Sequence, residues 1–251
     1  MNAIVTGAGR YNGIGAAICY RLAKAGHNLL FTSNSKYDLT VAHINPDDYQ
    51  AIKNRCISYG ANVSFHDCDF AIVSSIKEMF DVAENELGAI DLLINCACWH
   101  EYDTFGEITA EQLDMCYSVN ARSVFLSCQE FAVRYNGTHG RIINLTSTQE
   151  KEPLMMEIAY AATKAMIPTL TATLAPLLFR RGITINAINP GPTDIGIADD
   201  AYVISQSKLP LGHIGSPENV ADLIELLIDE KANWITGQTI HSEGGLIRNC
   251  L

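Results

Sequence analysis

Hydrophobic and polar positions alternate in blocks along the chain, and the blocks predict strands and helices in turn. Asn2–Val5 reads as a short apolar strand, and after a glycine-rich turn Ala16, Ile18, Leu22 and Ala23 form one helical face closed by Gly26. His27–Thr32 reads as a second strand, 36–48 as a loop, 47–59 as a helix and 62–66 as a third strand. Val73–Leu87 is amphipathic with a Gly88 stop, and Asp91–Asn95 is nearly all apolar, as in a strand covered on both faces. Thr109–Tyr135 reads as one long helix opened by a capping box of Thr109 and Gln112. Asn120 interrupts it with a poor helix former, which bends the helix, donates into a site or is simply tolerated. Arg141–Thr146 is a fifth strand, and Ile158–Arg181 is a helix in which Pro168 and Pro176 each remove a donor and predict a kink. Ile183–Ile188, a helix over Pro217–Asp229 capped by Ser216, and a strand over Gln238–His241 complete the series. Strand and helix alternate throughout without repeat or linker, so the expected fold is α/β: one domain over 1–251 built on a doubly wound parallel sheet.

Composition narrows the function classes. With 251 residues, 48% hydrophobic and 18% charged, the chain can bury a sizeable core without disulfide or metal staples. A net charge of −11 argues against a nucleic-acid partner or an anionic membrane surface. No apolar run reaches the ~20 residues of a membrane span. The first strand starts almost at Met1, leaving no room for a leader, so a cytoplasmic location and reduced, buried cysteines are expected. The eight Cys lack paired CxxC spacing and the seven His do not cluster, so no metal site is expected.

Two stretches carry chemistry. Thr6-Gly7-Ala8-Gly9-Arg10-Tyr11-Asn12-Gly13-Ile14-Gly15 lies between the first strand and the first helix. Glycines there let backbone approach phosphates, and the helix N-terminus faces their charge, which predicts a dinucleotide site using Gly7, Gly13 and Ile14. The second strand ends Thr32-Ser33-Asn34-Ser35-Lys36, with no acid before Asp38 to hold the ribose hydroxyls. With Arg10 nearby, this favours NADP(H) over NAD(H), unless Arg10 is only a solvated loop charge. The second stretch runs from Ser147 to Lys164. Tyr160 and Lys164, four apart, stack on one helical face. A phenol ordinarily titrates near ~10, and an adjacent ammonium is expected to lower that value and fit it for acid–base work at neutral pH. A Tyr–Lys pair at this spacing is by itself more often a solvated face; Ser147, Asn120 and the glycine turn give it weight.

Thr6-Gly7…Gly13-Ile14-Gly15, Asp69, Asn95-Cys96-Ala97, Asn120, Ser147, Tyr160-x-x-x-Lys164 and Pro190-Gly191 together resemble the short-chain dehydrogenase/reductase family over nearly the whole chain. The tail Trp234-Ile235-Thr236-Gly237-Gln238…Gly244-Gly245 is similar to its 3-oxoacyl-[acyl-carrier-protein] reductase-like members. The resemblance implies a Rossmann fold and hydride exchange between a nicotinamide and a small carbonyl or alcohol substrate. It implies Tyr160 as the acid or base, with Lys164 lowering its pKa and holding the nicotinamide ribose. Ser147 is implied to bind the substrate oxygen, and Asn120 to anchor a water leading from Lys164 to solvent. It implies cofactor contacts from Asp69 at the adenine, Asn95 beside the sheet, and Pro190, Gly191 and Thr193 at the nicotinamide and phosphates, with Ser33 and Arg10 on the adenosine side. A homotetramer or dimer follows from the same resemblance and from the apolar helices. Departures are the extra Tyr11-Asn12 in the glycine turn, Cys98 where the family has glycine, and a short substrate loop at about 191–215. An NAD(H)-dependent sugar or polyol dehydrogenase and a non-catalytic nucleotide-binding redox sensor are the competing readings.

Overall fold

The computed structural model describes residues 1–147, 155–196, 210 and 213–246. Seven strands form one parallel sheet: β1 (Asn2–Val5), β2 (Asn28–Ser33), β3 (Val63–Asp67), β4 (Leu92–Asn95), β5 (Gly140–Leu145), β6 (Ile183–Asn189) and β7 (Thr239–His241). Their order is β3-β2-β1-β4-β5-β6-β7, so the chain reverses its direction of travel between β1 and β4. The helices are α1 (Ile14–Lys24), α2 (Ser35–Thr40), α3 (Asp48–Ser58), α4 (Val73–Leu87), α5 (Ala110–Tyr117), α6 (Ser123–Arg134), α7 (Ile158–Lys164), α8 (Met166–Phe179) and α9 (Pro217–Ile228).

Alternation within the strands builds two cores. Val5, Phe31, Ile94, Ile143 and Ile188 point to the layer of α1, α3 and α9. Ile4, Leu30, Leu93, Ile142 and Ile185 point to that of α4, α6 and α8. Successive side chains face opposite sides of a pleated strand, which is why nearly unbroken apolar runs were needed here.

Three expectations are corrected. The stretch 36–48 is not all loop: Asn34 caps α2 through its side chain, accepting the Tyr37 N–H at 3.2 Å. The long helix at 109–135 opens with the expected Thr109–Gln112 capping box but is split by a π-helical turn at Ser118–Arg122 centred on Asn120. The helix at 158–181 breaks at Ala165 rather than at a proline. Pro168 falls in the first turn of α8, where a missing donor costs little, and Pro176 is carried within the helix. Ile158–Phe179 together span 22 residues, and an 18-residue stretch of them reaches a mean hydropathy of 1.2, which meets the length and composition of a membrane span and equally those of a core helix. α8 packs on β6 and β5 through Ile167, Thr171, Ala175 and Leu178, as a core helix does.

A buried polar ladder crosses the sheet beneath the cleft. Asn95 Nδ2 donates to Asn144 Oδ1 at 2.8 Å, and Asn144 Nδ2 donates to Thr171 Oγ1 at 3.1 Å, tying β4, β5 and α8. Asn144→Ala strands a buried amide and a buried hydroxyl, so it is expected to cost about 2–3 kcal/mol in denaturant unfolding; an unchanged midpoint would show that the ladder contributes nothing.

Candidate active site

The C-terminal ends of β1, β4, β5 and β6 open on one edge, at the point where strand order reverses. Ligands of open α/β sheets bind in such crevices. The glycine turn leaves β1 here. Gly7 has φ +69 and its Cα faces Ala97 so closely that a Cβ would overlap it. A Cβ on Gly15 would lie 2.6 Å from the Gly7 carbonyl oxygen. The turn therefore closes on backbone alone. Gly13 caps α1 without a side-chain bond, and no acid occupies the first turn. Bare N–H groups at a helix start, under a cradle that any side chain would fill, fit a phosphate-bearing cofactor.

The extra residues of this turn fold outward. Asp48 accepts the Tyr11 N–H at 2.9 Å, Tyr20 donates to the Tyr11 carbonyl at 3.1 Å, and the Arg55 guanidinium lies 3.9 Å from the Tyr20 ring centroid. Tyr11 thus docks on α1 and α3, Asn12 stays exposed, and Gly13 and Ile14 are left at the helix start. Arg10 donates to the Ala42 carbonyl at 2.9 Å, so it is tethered rather than loose. The end of β2 holds a residue the linear reading passed over: α2 turns Asp38 back so that it accepts from the Ser33 hydroxyl beside Gly9. Burial raises the Asp38 carboxyl, while the Ser33 bond and the Arg10 charge pull it down. The adenosine end therefore carries Arg10 beside two acids, Asp38 and Asp67, the latter accepting the Ser35 N–H at 2.9 Å. Asp69, farther along, accepts the Ala71 N–H at 2.9 Å and starts the turn into α4.

On the other side of the crevice, Thr6 Oγ1 accepts the N–H groups of Cys96 and Ala97, each at 3.0 Å, and so aims the chain leaving β4. Ser147, just beyond β5, hydrogen-bonds the Tyr160 side chain on α7. Lys164, one turn on, is buried; its Nζ donates to the Leu145 carbonyl at 2.9 Å and lies 5.8 Å from the Tyr160 ring centroid. Sequence reasoning expected Lys164 to lower the Tyr160 pKa. The structure gives the opposite shift: burial raises the phenol well above its usual value, Cys98, Glu157 and Cys96 add to the rise, and only the Ser147 hydrogen bond opposes it. One donor of the Lys164 ammonium goes to a backbone carbonyl, and Lys164 is not among the groups that shift the phenol. Cys98, where the family has glycine, thus bears on the phenol directly.

Asn120 is fully buried, and its side chain is engaged throughout. Oδ1 accepts the Trp99 N–H at 2.7 Å, while Nδ2 donates to the Trp99 carbonyl at 2.9 Å and to Thr163 Oγ1 at 3.1 Å. Its side chain ties the chain after β4 to α7. Pro190, Gly191 and Thr193 follow β6, where Asn189 Oδ1 accepts the Gly191 N–H at 3.0 Å and Thr193 Oγ1 donates to the Gly191 carbonyl at 3.1 Å. The segment expected as a substrate loop, about 191–215, lies outside the described residues at 197–209 and 211–212. Two cavities, of about 300 Å³ beside Phe80 and Phe131 and about 310 Å³ beside Tyr11 and Arg55, lie away from Tyr160; the chemistry, not cavity size, locates the site. No cluster of metal-ligating side chains occurs among the described residues.

Sequence reasoning missed Thr6, Asp38, Thr163 and His100. His100 sets its ring edge-on to Tyr160 with centroids 5.3 Å apart and pairs with Glu157 at 3.2 Å. Thr6 opens the glycine motif, Asp38 is the first acid after the second strand and Thr163 lies inside the Tyr160–Lys164 spacing, so each had a positional signal without an assigned role; His100 had none.

Comparison with known proteins agrees with this geometry. Residues 7–247 match the family described as enoyl-(acyl carrier protein) reductase. An uncharacterized oxidoreductase of Bacillus subtilis, YjdA, is 38% identical over 98% of this chain and 96% of its own length. The 3-oxoacyl-[acyl-carrier-protein] reductase FabG of Staphylococcus epidermidis is 31% identical over 98% of both chains. A short-chain dehydrogenase from Burkholderia cenocepacia, solved in complex with NADP, superposes with a TM-score of 0.85 at 28% identity over 97% of this chain and 96% of that one.

Proposed function

The chain belongs to the short-chain dehydrogenase/reductase family, and from that premise we propose that it interconverts a carbonyl and a secondary alcohol with NADP(H), using Tyr160 as acid and base. The observation that carries this reading is the convergence of Ser147, Tyr160 and Lys164, from β5 and α7, on the edge that also holds the bare glycine turn. When bound, the nicotinamide supplies or accepts the hydride.

The chain's own residues divide the remaining work. Gly7, Gly13 and Ile14 receive the pyrophosphate at the start of α1. Ser33 and Arg10 meet the adenosine ribose, Asp69 the adenine. Asn95 steadies the sheet beside the cofactor, Pro190, Gly191 and Thr193 line the nicotinamide amide and phosphates, and Tyr160 and Lys164 hold the nicotinamide ribose. A phenol held well above its ordinary pKa is protonated at neutral pH. It therefore donates to a carbonyl oxygen as negative charge builds there, and Ser147 stabilises the same oxygen. Alcohol oxidation needs the phenolate, so its rate should climb as pH rises while reduction falls. A 3-oxoacyl thioester is the first substrate class to test, since the Staphylococcus epidermidis relative is named for it.

A cytoplasmic homo-oligomer is part of the proposal. Phe125 and Val133 on α6, Leu177 on α8, Leu226 on α9 and Trp234 leave large apolar surfaces uncovered, Trp234 being 87% exposed. These side chains are the surface that such an assembly would cover.

Tyr160→Phe should abolish carbonyl reduction while NADPH affinity, read by cofactor fluorescence, stays within about threefold; retained turnover removes the mechanism. NADPH should bind more tightly than NADH, because Arg10 attracts a 2′-phosphate; the reverse order would give Asp38 the deciding charge. Light scattering should return a dimer or tetramer, and a monomer at micromolar concentration would refute the assembly.

A further inference from the structure

The α7 helix has only seven residues, and its N-cap residue, Glu157, makes no side-chain capping bond. The first N–H groups of a helix have no partner within it and need one from elsewhere. Asp103, more than fifty positions earlier, supplies them. One of its carboxylate oxygens accepts the Ile158 N–H at 2.7 Å and the other accepts the Ala159 N–H at 2.8 Å. Its backbone N–H donates to the Met156 carbonyl at 2.9 Å. The residue is 7% exposed, although it lies in a loop rich in exposed aromatics such as Tyr102 and Phe105. Burying a carboxylate is costly unless it is fully bonded, and here the start of the Tyr160 helix meets that need.

We propose that Asp103 is a positioning residue for the reaction: it caps the short helix that carries Tyr160 and sets where the phenol stands relative to Ser147. The proposal rests on the reductase reading above. Three further bonds hold the same helix. Asn120 grips Thr163 at 3.1 Å, Thr146 Oγ1 donates to the Lys164 carbonyl at 3.1 Å, and the Lys164 ammonium reaches Leu145. These all act at the helix's C-terminal end. Only Asp103 provides side-chain bonds to the first backbone N–H groups, one and two residues before Tyr160, among the described residues. His100–Glu157 straps the same loop to the same helix start through side chains, half-exposed on the His100 side. A negative charge at a helix N-terminus is also favourable to the helix dipole. Rotation of α7 about its anchored C-terminal end carries the Tyr160 hydroxyl with it, and a displacement near 1 Å at a reacting group can cost about a hundredfold in rate.

The test compares Asp103→Ala and Asp103→Asn with wild type, and with Asn144→Ala as a variant that weakens the fold without touching α7. Expected for Asp103→Ala is a fall in kcat of about a hundredfold, with KM for the carbonyl and Kd for NADPH within threefold. Asp103→Asn keeps one acceptor oxygen and should recover part of the loss. Hydrogen–deuterium exchange over 158–164 should quicken in both Asp103 variants and not in Asn144→Ala. A kcat loss no larger than that of Asn144→Ala, or unchanged exchange over 158–164, overturns the proposal. A wild-type protein inert toward every carbonyl, with faster exchange in Asp103→Asn, would remove the reductase reading and with it the catalytic purpose of Asp103, while the cap itself would stand.

Discussion

Everything at the open edge of the sheet depends on how a two-turn helix is held there. Seven residues are too few to be helical alone in water, because nucleation is not repaid over so short a length. The position of α7 is therefore a tertiary result. Asp103 from the loop after β4 takes two of its backbone N–H groups, Asn120 from the π-helical turn its Thr163 hydroxyl, and Thr146 from the end of β5 its Lys164 carbonyl. The phenol and the ammonium inherit their places from those bonds, and the crevice inherits its chemistry from the phenol.

The electrostatics of the crevice follow from burial more than from pairing. A phenol in a half-dry cleft stays protonated unless charge is brought to it. Here the neighbouring thiols and Glu157 reinforce that tendency, and Ser147 alone works against it. Such a group is prepared to donate, and carbonyl reduction uses a donor. At the adenosine end burial also leads: it raises the Asp38 carboxyl with help from Asp67, while the Ser33 hydrogen bond and the more distant Arg10 charge act the other way.

Most of the fold was legible in the chain. The order of strands and helices, the capping box of Thr109 and Gln112, and the two-sided burial of β4 all follow from local pattern, because a strand's period and a helix's start are set by residues close together in sequence. The errors came where local pattern competes with packing. α2 was hidden by its polar composition, and the break at Ala165 lies where no proline stands. Asn120 was legible as an anomaly but not as a clasp, since both its partners, Trp99 and Thr163, lie more than twenty positions away.

The sequence by itself determined the class of the sheet, the glycine turn, and the pairing of Tyr160 with Lys164 on one helical face, all consequences of spacing. Only the tertiary structure decided the direction of the Tyr160 shift, the return of Asp38 to the end of β2, and the capping of α7 by Asp103. Each of those depends on desolvation or on a bond between distant segments, and neither quantity exists until the chain has closed on itself.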